Sequence, residues 1–90
     1  MSTAAQRVAE GVRRNAVLAI LAFAPGQAAT ARAIRDQLEA NHGQTVTVDR
    51  VRADLLWLAD VGSIERLDDL ARLTEAGRDV VLGRAQLPGA

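Results

Sequence analysis

Residues 47–64, with the sequence TVDRVRADLLWLADVGSI, decide the fold of this chain. Apolar residues recur here at spacings of three and four, which places them on one helical face. They are Val48, Val51, Leu55 and Leu58, with Ala59 widening the stripe. Thr47 is a favoured N-cap residue, and Asp49 suits the positive end of the helix dipole. Gly62 then ends the pattern, so the sequence predicts an amphipathic helix over about residues 48–61.

A second amphipathic pattern precedes this helix. Thr30 is a suitable N-cap, and Gly43 can end a helix because glycine adopts the left-handed conformation without steric penalty. The apolar residues between them share one face: Ala31, Ile34 and Leu38. Only a short link, residues 44–46, separates the two helices. The spacing predicts a helix-turn-helix over about residues 30–61.

After Gly62 the period changes from helical to extended. Residues 64–67 (IERL) and 70–73 (LARL) are short runs separated by Asp68 and Asp69. This pattern predicts a β-hairpin, although Asp-Asp is a poorer two-residue turn than Asn-Gly. We therefore expect a wing over about residues 63–73.

The chain ends with one more predicted helix, over about residues 75–83. Thr74 is its expected N-cap, and Val80 and Val81 lie on its expected buried side. Gly83 ends the pattern, and residues 84–90 are expected to form a loose tail.

The N-terminal segment predicts a long helix over about residues 3–24. Six apolar residues recur at helical spacing and are expected to share a face: Ala5, Ala9, Val12, Ala16, Ala19 and Phe23. From Val17 onward the segment is apolar all round, so we expect its second half to be enclosed. Gly11 weakens the first half, which a partner could order. Small residues allow close helix approach, so a homodimer interface is predicted at Ala5, Ala9, Val12 and Ala16.

The order helix, helix, turn, helix, hairpin, helix is that of a winged helix. The predicted fold is therefore mainly α with a small β-hairpin (α+β). It is a winged helix-turn-helix with a three-helix core, a wing and a C-terminal helix, forming one domain over residues 1–90. Residues 48–59 (VDRVRADLLWLA), 62–64 (GSI) and 73–78 (LTEAGR) resemble winged-helix regulators of the ArsR and MarR type. In those regulators a recognition helix is followed by the wing, which returns into L-T-x-x-G.

A narrower resemblance is to small ArsR-like proteins of Mu-like phages and prophages. It rests on residues 52–59 (RADLLWLA) and on the closing Gly83-Arg84 and Pro88-Gly89. The resemblance implies a phage- or prophage-encoded transcriptional regulator. Metal sensing of the ArsR type needs Cys or clustered ligands, so it is not expected here.

Composition excludes several classes of function. The 90 residues include no Cys and one His, His42, which removes disulfides, thiol catalysis and Cys or His-cluster metal sites. No catalytic constellation is present, so we expect neither an enzyme nor a cofactor. The longest apolar run, residues 16–24, is shorter than the roughly 20 residues that span a bilayer. The sequence thus predicts a cytoplasmic protein with no membrane partner.

The first turns of the second helix of a helix-turn-helix enter the major groove of DNA. This places five candidate contacts there: Thr47, Asp49, Arg50, Arg52 and Ala53. Arginine can bond two acceptors of guanine at once, and a small alanine permits close approach or contact with a thymine methyl. Arg66 and Arg72 of the hairpin are candidate phosphate contacts, and Arg32 and Arg35 could add others.

The charge distribution leaves an alternative open. The eleven basic residues, all Arg, balance eleven acidic ones, so the net charge is zero. Residues 47–74 contain four arginines against six acidic residues, whereas phosphate binding requires local positive charge. The predicted function is a sequence-specific regulator that binds double-stranded DNA as a homodimer. The alternative is a winged-helix adaptor that binds another protein.

Trp57 has two interpretations. It lies off the main apolar stripe of its helix, so it either packs within the chain, under the hairpin or against the first helix, or contacts a second copy. We expect packing within the chain.

Overall fold

The computed structural model describes residues 3–89, and these confirm the predicted α+β class. In chain order the elements are α1 (Ala4–Phe23), a 3-10 turn (Pro25–Gln27), β1 (Ala28–Thr30), α2 (Ala31–His42), α3 (Val48–Asp60), β2 (Ile64–Leu67), β3 (Leu70–Leu73) and α4 (Glu75–Val81). Helices α2 and α3 form the helix-turn-helix, and β2 and β3 form the wing hairpin.

The core lies where the first three helices meet the sheet. Its fully buried aliphatic side chains come from all three helices: Val17, Leu18 and Leu21; Ile34 and Leu38; Val51 and Leu58. Each such side chain contributes roughly 1.5–3 kcal/mol relative to an exposed one. Ile64, Ala71 and Leu73 close the core from the wing. The apolar stripes predicted for α2 and α3 are thus the ones that are buried.

The buried face of α1 differs from the predicted face. Arg13, Ala16, Val17, Leu18 and Leu21 point inward. Phe23 is 89% exposed and Val12 is 57% exposed, so the expectation of a fully enclosed second half is wrong at Phe23. The reason is a charged residue: Arg13 lies on the inner face because it has a carboxylate partner there, which apolar spacing does not register.

The sheet has a third strand that the sequence did not predict. The order is β1-β3-β2, all antiparallel, with Thr30 opposite Leu70. Three residues, Ala-Ala-Thr, are too few to show an alternating pattern. Strand β1 ties the wing to the start of α2. The hairpin turn is the Asp68-Asp69 pair, and Asp68 takes φ 55°, a left-handed conformation that Asp tolerates better than most residues.

The L-T-x-x-G segment joins the wing to α4. The Thr74 hydroxyl donates to the Gly62 carbonyl at 2.6 Å and accepts the Gly77 N–H at 3.1 Å. A Cβ on Gly77 would lie 2.1 Å from the Ser63 carbonyl oxygen. The threonine is therefore an N-cap, and the glycine permits close backbone approach. Both residues have structural reasons to occupy these positions.

The segment after α4 is packed at one point. Leu87 is only 5% exposed and belongs to the hydrophobic core. The expectation of a loose tail over residues 84–90 is therefore wrong at Leu87, because an apolar side chain near the end of the chain finds space against the core. Residue 90 lies outside the described range.

Candidate nucleic-acid interface

Helix α3 presents an outer face whose composition follows from its buried stripe. Val51, Leu55 and Leu58 face the core, so Asp49, Ala53 and Leu56 point outward. Leu56 is 51% exposed and was not among the predicted contacts, although its position opposite the stripe could have identified it.

Arg50 and Arg52 lie on opposite flanks of this outer face. At 3.6 residues per turn their side chains leave the helix about 160° apart. Arg50 is on the flank that also carries Trp57, and Arg52 is on the flank nearest the wing. The two arginines therefore point away from each other, and each has its own surroundings.

Two of the predicted contact residues make bonds within the first turn of α3. The Thr47 hydroxyl accepts the Arg50 N–H at 3.0 Å, so it acts as the N-cap. Asp49 lies 3.4 Å from the Arg52 guanidinium, and its side chain is 92% exposed. Such an exposed ion pair contributes little to stability, so Arg52 can exchange Asp49 for another anion at small energetic cost.

A buried ion pair fixes α3 against α1. Arg13 donates to both Asp54 carboxylate oxygens, and its Nη2–Oδ1 distance is 2.9 Å. Arg14 adds an Nε–Oδ1 bond of 3.2 Å. The hydrogen bonds to Asp54 are the main cause that raises the pKa of Arg13. This bidentate geometry gives α3 one defined orientation on α1.

A weak sign of this pair is present in the sequence. Asp54 lies beside Leu58 and Val51 at the edge of the predicted apolar stripe, where a carboxylate that becomes buried requires a partner. Its partner is 41 residues away, so local pattern could not supply it. Arg14 likewise contacts α3, through Asp54.

Trp57 lies against α1, within the same chain. The Arg14 guanidinium carbon is 4.1 Å from the centroid of the Trp57 ring, a cation–π contact. Arg14 also pairs with Glu10 at 3.1 Å. Trp57 therefore packs within the chain, as expected, and lies in the contact between α1 and α3.

The register of the wing separates its two arginines. Residues directly opposite each other in an antiparallel pair share a face of the sheet. Arg66 is opposite Ala71, which faces the core, whereas Arg72 is opposite Glu65 on the outer face. Arg72 pairs with Glu65 at 3.3 Å. Only Arg66 is therefore on the side of the wing that faces the helices.

Three arginines line one cavity between α2, α3 and the wing. Arg32 from the first turn of α2, Arg52 from α3 and Arg66 from β2 border a cavity of about 280 Å³. Asp68 and Asp69 of the hairpin turn also line it. The cavity is thus lined by three positive and two negative side chains. Arg50 and Arg72 are not part of this lining.

The predicted homodimer residues have different surroundings. Ala5, Ala9 and Val12 are exposed, whereas Ala16 is 9% exposed and belongs to the core of this chain. The first half of α1 borders an open groove of about 1100 Å³, whose other wall contains Trp57 and the tail from Leu87. Ala16 is therefore not available to a partner, because the core already covers it.

Two kinds of feature are missing from the part of the chain that the structure describes. No helix within residues 3–89 is both long and apolar enough to cross a membrane. The same residues contain no group of three or more His, Cys, Asp or Glu side chains that could hold a metal ion.

Solved structures of RosR from H. salinarum have the same winged-helix fold. One, grown from NaBr, matches with a TM-score of 0.71 and 25% identity over 79% of this chain and 66% of that chain. The RosR-S4 complex gives 0.70 and 25% identity over 78% and 63%, and the RosR-S1 complex gives 0.67 and 28% over 78% and 64%. This chain thus spans slightly less than two thirds of the length of these RosR chains. No protein-family model matches the chain, and no curated protein matches it either.

Proposed function

We propose that this chain is a sequence-specific transcriptional regulator that binds double-stranded DNA, with α3 in the major groove. The observation that carries the proposal is the outer face of α3, flanked by Arg50 and Arg52 at the N-terminal end that a helix-turn-helix inserts into DNA. RosR is a winged-helix transcription regulator, and its likeness at 25–28% identity supports the same class of function.

The proposed contacts divide by chemistry. Arg50 bonds a guanine, because its side chain forms no ion pair within residues 3–89 and a guanidinium group can bond two guanine acceptors at once. Ala53 and Leu56 are small or apolar and fit beside thymine methyl groups. Thr47 and Asp49 lie at the helix start, where the hydroxyl caps the helix and the carboxylate fits a cytosine amino group. This set of side chains favours contacts with bases over purely electrostatic attraction to the phosphate backbone.

The phage or prophage origin and the cytoplasmic location are two further proposals, and both rest on the sequence resemblance. The match of residues 48–59 and 73–78 to ArsR- and MarR-type regulators, and of residues 52–59 to proteins of Mu-like phages, suggests a phage- or prophage-encoded regulator. Such a regulator acts in the cytoplasm, and the proposed role involves no catalysis.

We also propose a homodimer through the first half of α1. The residues of α1 that border the groove include Ala4, Val8, Gly11 and Asn15, spaced by four, three and four as in a coiled-coil seam. This seam is displaced from the predicted set of Ala5, Ala9 and Val12 and includes no core residue. Dimeric binding would also match the two-fold symmetry of a palindromic DNA site.

The homodimer is tested by measuring molar mass against concentration for the wild type and for Val8→Glu, which changes an exposed residue of this seam. We expect a dimer for the wild type and a monomer for the variant. The matched control is Phe23→Glu, which changes another exposed apolar residue at the other end of α1 and should remain dimeric. A monomeric wild type, or a dimer lost only in Phe23→Glu, would contradict this interface.

DNA binding is tested by incubating the protein with fragmented DNA from its source and sequencing what it retains at two salt concentrations. The comparison is Arg50→Ala, with Arg84→Ala as a control at an exposed arginine outside this face. We expect wild type and Arg84→Ala to retain the same sites. Arg50→Ala should lose about 1–3 kcal/mol of discrimination at one base pair, with an unchanged free energy of unfolding.

Two outcomes would contradict the proposal. Equal site preference in Arg50→Ala would remove the proposed base contact. Absence of any salt-resistant site in the wild type would exclude sequence-specific binding, and recovery of a stoichiometric protein partner would then favour the adaptor function.

A further inference from the structure

We propose that Arg32, Arg52 and Arg66 form a single pocket that holds one phosphate of the DNA backbone, with Asp68 and Asp69 at its edge weakening that contact. This inference rests on the proposed DNA-binding function and assigns the arginines a shared role. From the sequence alone, Arg52 was a candidate contact in the major groove, and Arg66 and Arg72 were candidate phosphate contacts of the same kind.

The three arginines converge on one cavity. The three arginines come from three different elements, yet they border one cavity. Thr30 and Ala31, at the N-terminus of α2, border the same cavity, and Thr30 caps this helix through the Ala33 N–H. A helix N-terminus carries partial positive charge, which adds to that of the guanidinium groups. Among the side chains that line the cavity, three positive charges stand against two negative ones, whereas the whole chain is neutral.

The volume of the cavity suits a single anionic group. The cavity of about 280 Å³ is smaller than the roughly 300–1,000 Å³ of sites that enclose drug-sized ligands. Its walls carry planar, multiply donating side chains of the kind that bind phosphate oxygens. The cavity therefore fits one anionic group of a larger molecule better than a complete small ligand.

The cavity lies between the proposed recognition helix and the wing. Arg52 belongs to the helix proposed to enter the major groove, and Arg66 belongs to the wing beside it. A phosphate between α3 and the wing would lie on the DNA strand that borders this groove. Such contacts fix the register of a protein on the duplex without contributing sequence preference.

The carboxylates of the turn modulate this site. Neither Asp68 nor Asp69 forms an ion pair within residues 3–89, so their charges are not neutralised by contact. They lie along the path of an approaching phosphate and repel it. The wing tip thus lowers the affinity of the pocket for any DNA, which gives base contacts a larger share of the binding free energy.

The test measures DNA affinity against salt concentration for the proposed site and for unrelated DNA. The slope of log affinity against log salt falls by about 0.9 for each phosphate that the protein no longer neutralises. If the three arginines share one phosphate, the triple variant Arg32→Ala/Arg52→Ala/Arg66→Ala lowers this slope by about 1 in total, and Arg66→Ala alone lowers it by no more than that, because two arginines remain at the phosphate. Arginines on three separate phosphates would lower it by about 3. Both DNAs should be weakened by the same factor.

Two variants provide controls with different expected directions. Arg72→Ala removes an arginine from the same hairpin but the opposite face, and it should leave the slope unchanged. Asp68→Asn/Asp69→Asn removes the repulsion and should tighten binding to both DNAs several-fold. A purely structural role for the wing would not produce these opposite effects.

The outcomes separate this inference from the proposed function. A wild type that binds no DNA overturns both. A wild type that binds DNA, with a slope that the triple variant either leaves unchanged or lowers by about 3, overturns only the shared pocket. Thermal stabilisation of the free protein by inorganic phosphate at constant ionic strength that is lost in the triple variant, together with an unchanged DNA slope in that variant, would assign the pocket to a free phosphate ligand and overturn its assignment to DNA.

Discussion

Replacing Asp54 by alanine should strongly destabilise the protein. The Asp54 side chain is 1% exposed, and its two partners Arg13 and Arg14 are 11% and 19% exposed. Asp54→Ala leaves both guanidinium groups mostly buried without this carboxylate. Breaking such a pair from one side costs about 3–5 kcal/mol. A chain of this size has a total stability of about 5–14 kcal/mol, at roughly 0.05–0.15 kcal/mol per residue.

The assay is urea denaturation followed by far-UV circular dichroism and by fluorescence of Trp57. Because Arg14 stacks on Trp57, the fluorescence reports the α1–α3 contact directly. A loss of about 3 kcal/mol should also lower Tm by at least about 12 °C. The pKa of Arg13 is raised, so its charge is lost only above the ordinary arginine range and neutral pH is suitable for the comparison.

Two further variants isolate the cause. Asp49→Ala removes an exposed carboxylate from the same helix and should cost less than about 1 kcal/mol. Arg13→Met/Asp54→Leu replaces the pair by apolar side chains and should recover much of the stability lost in Asp54→Ala. A loss below about 1 kcal/mol in Asp54→Ala, or a double variant no more stable than the single one, would refute this reasoning.

Changes at small residues give the remaining predictions. Gly77→Ala should lose at least about 1–3 kcal/mol, because the new Cβ would lie 2.1 Å from the Ser63 carbonyl oxygen. Gly11→Ala, the same change in an open helical position, should gain up to about 1 kcal/mol, and the opposite order of urea midpoints would contradict both. Thr74→Ala should lose about 1 kcal/mol with the N-cap, whereas Thr74→Ser keeps the hydroxyl and should lose less than about 0.5 kcal/mol; equal losses would exclude a capping role.

Elements formed by local interactions could be predicted from the sequence. The stripe of α3 and the caps Thr30, Thr47 and Thr74 lie within one or two helical turns of the residues they serve, so spacing alone identifies them. The hairpin followed from two short runs around Asp68 and Asp69. Strand β1 could not be predicted, because three residues take an extended form here only through pairing with β3, about 40 residues later.

The candidate site required more than local pattern. The sequence supplied the residue types of the DNA-facing surface, including Arg50, Arg52 and Arg66. It did not indicate that Arg66 faces the helices while Arg72 faces away, because that depends on which side of the hairpin packs on the core.

What the sequence by itself determined is the order and type of the elements, because helical and strand periods are set by neighbouring residues. Only the tertiary structure decided the inner face of α1, the pairing of Arg13 with Asp54 and the convergence of arginines from three elements. These features depend on residues tens of positions apart, 41 in the case of Arg13 and Asp54. Their energies come from desolvation and charge pairing after the helices have packed, so no local window of sequence contains them.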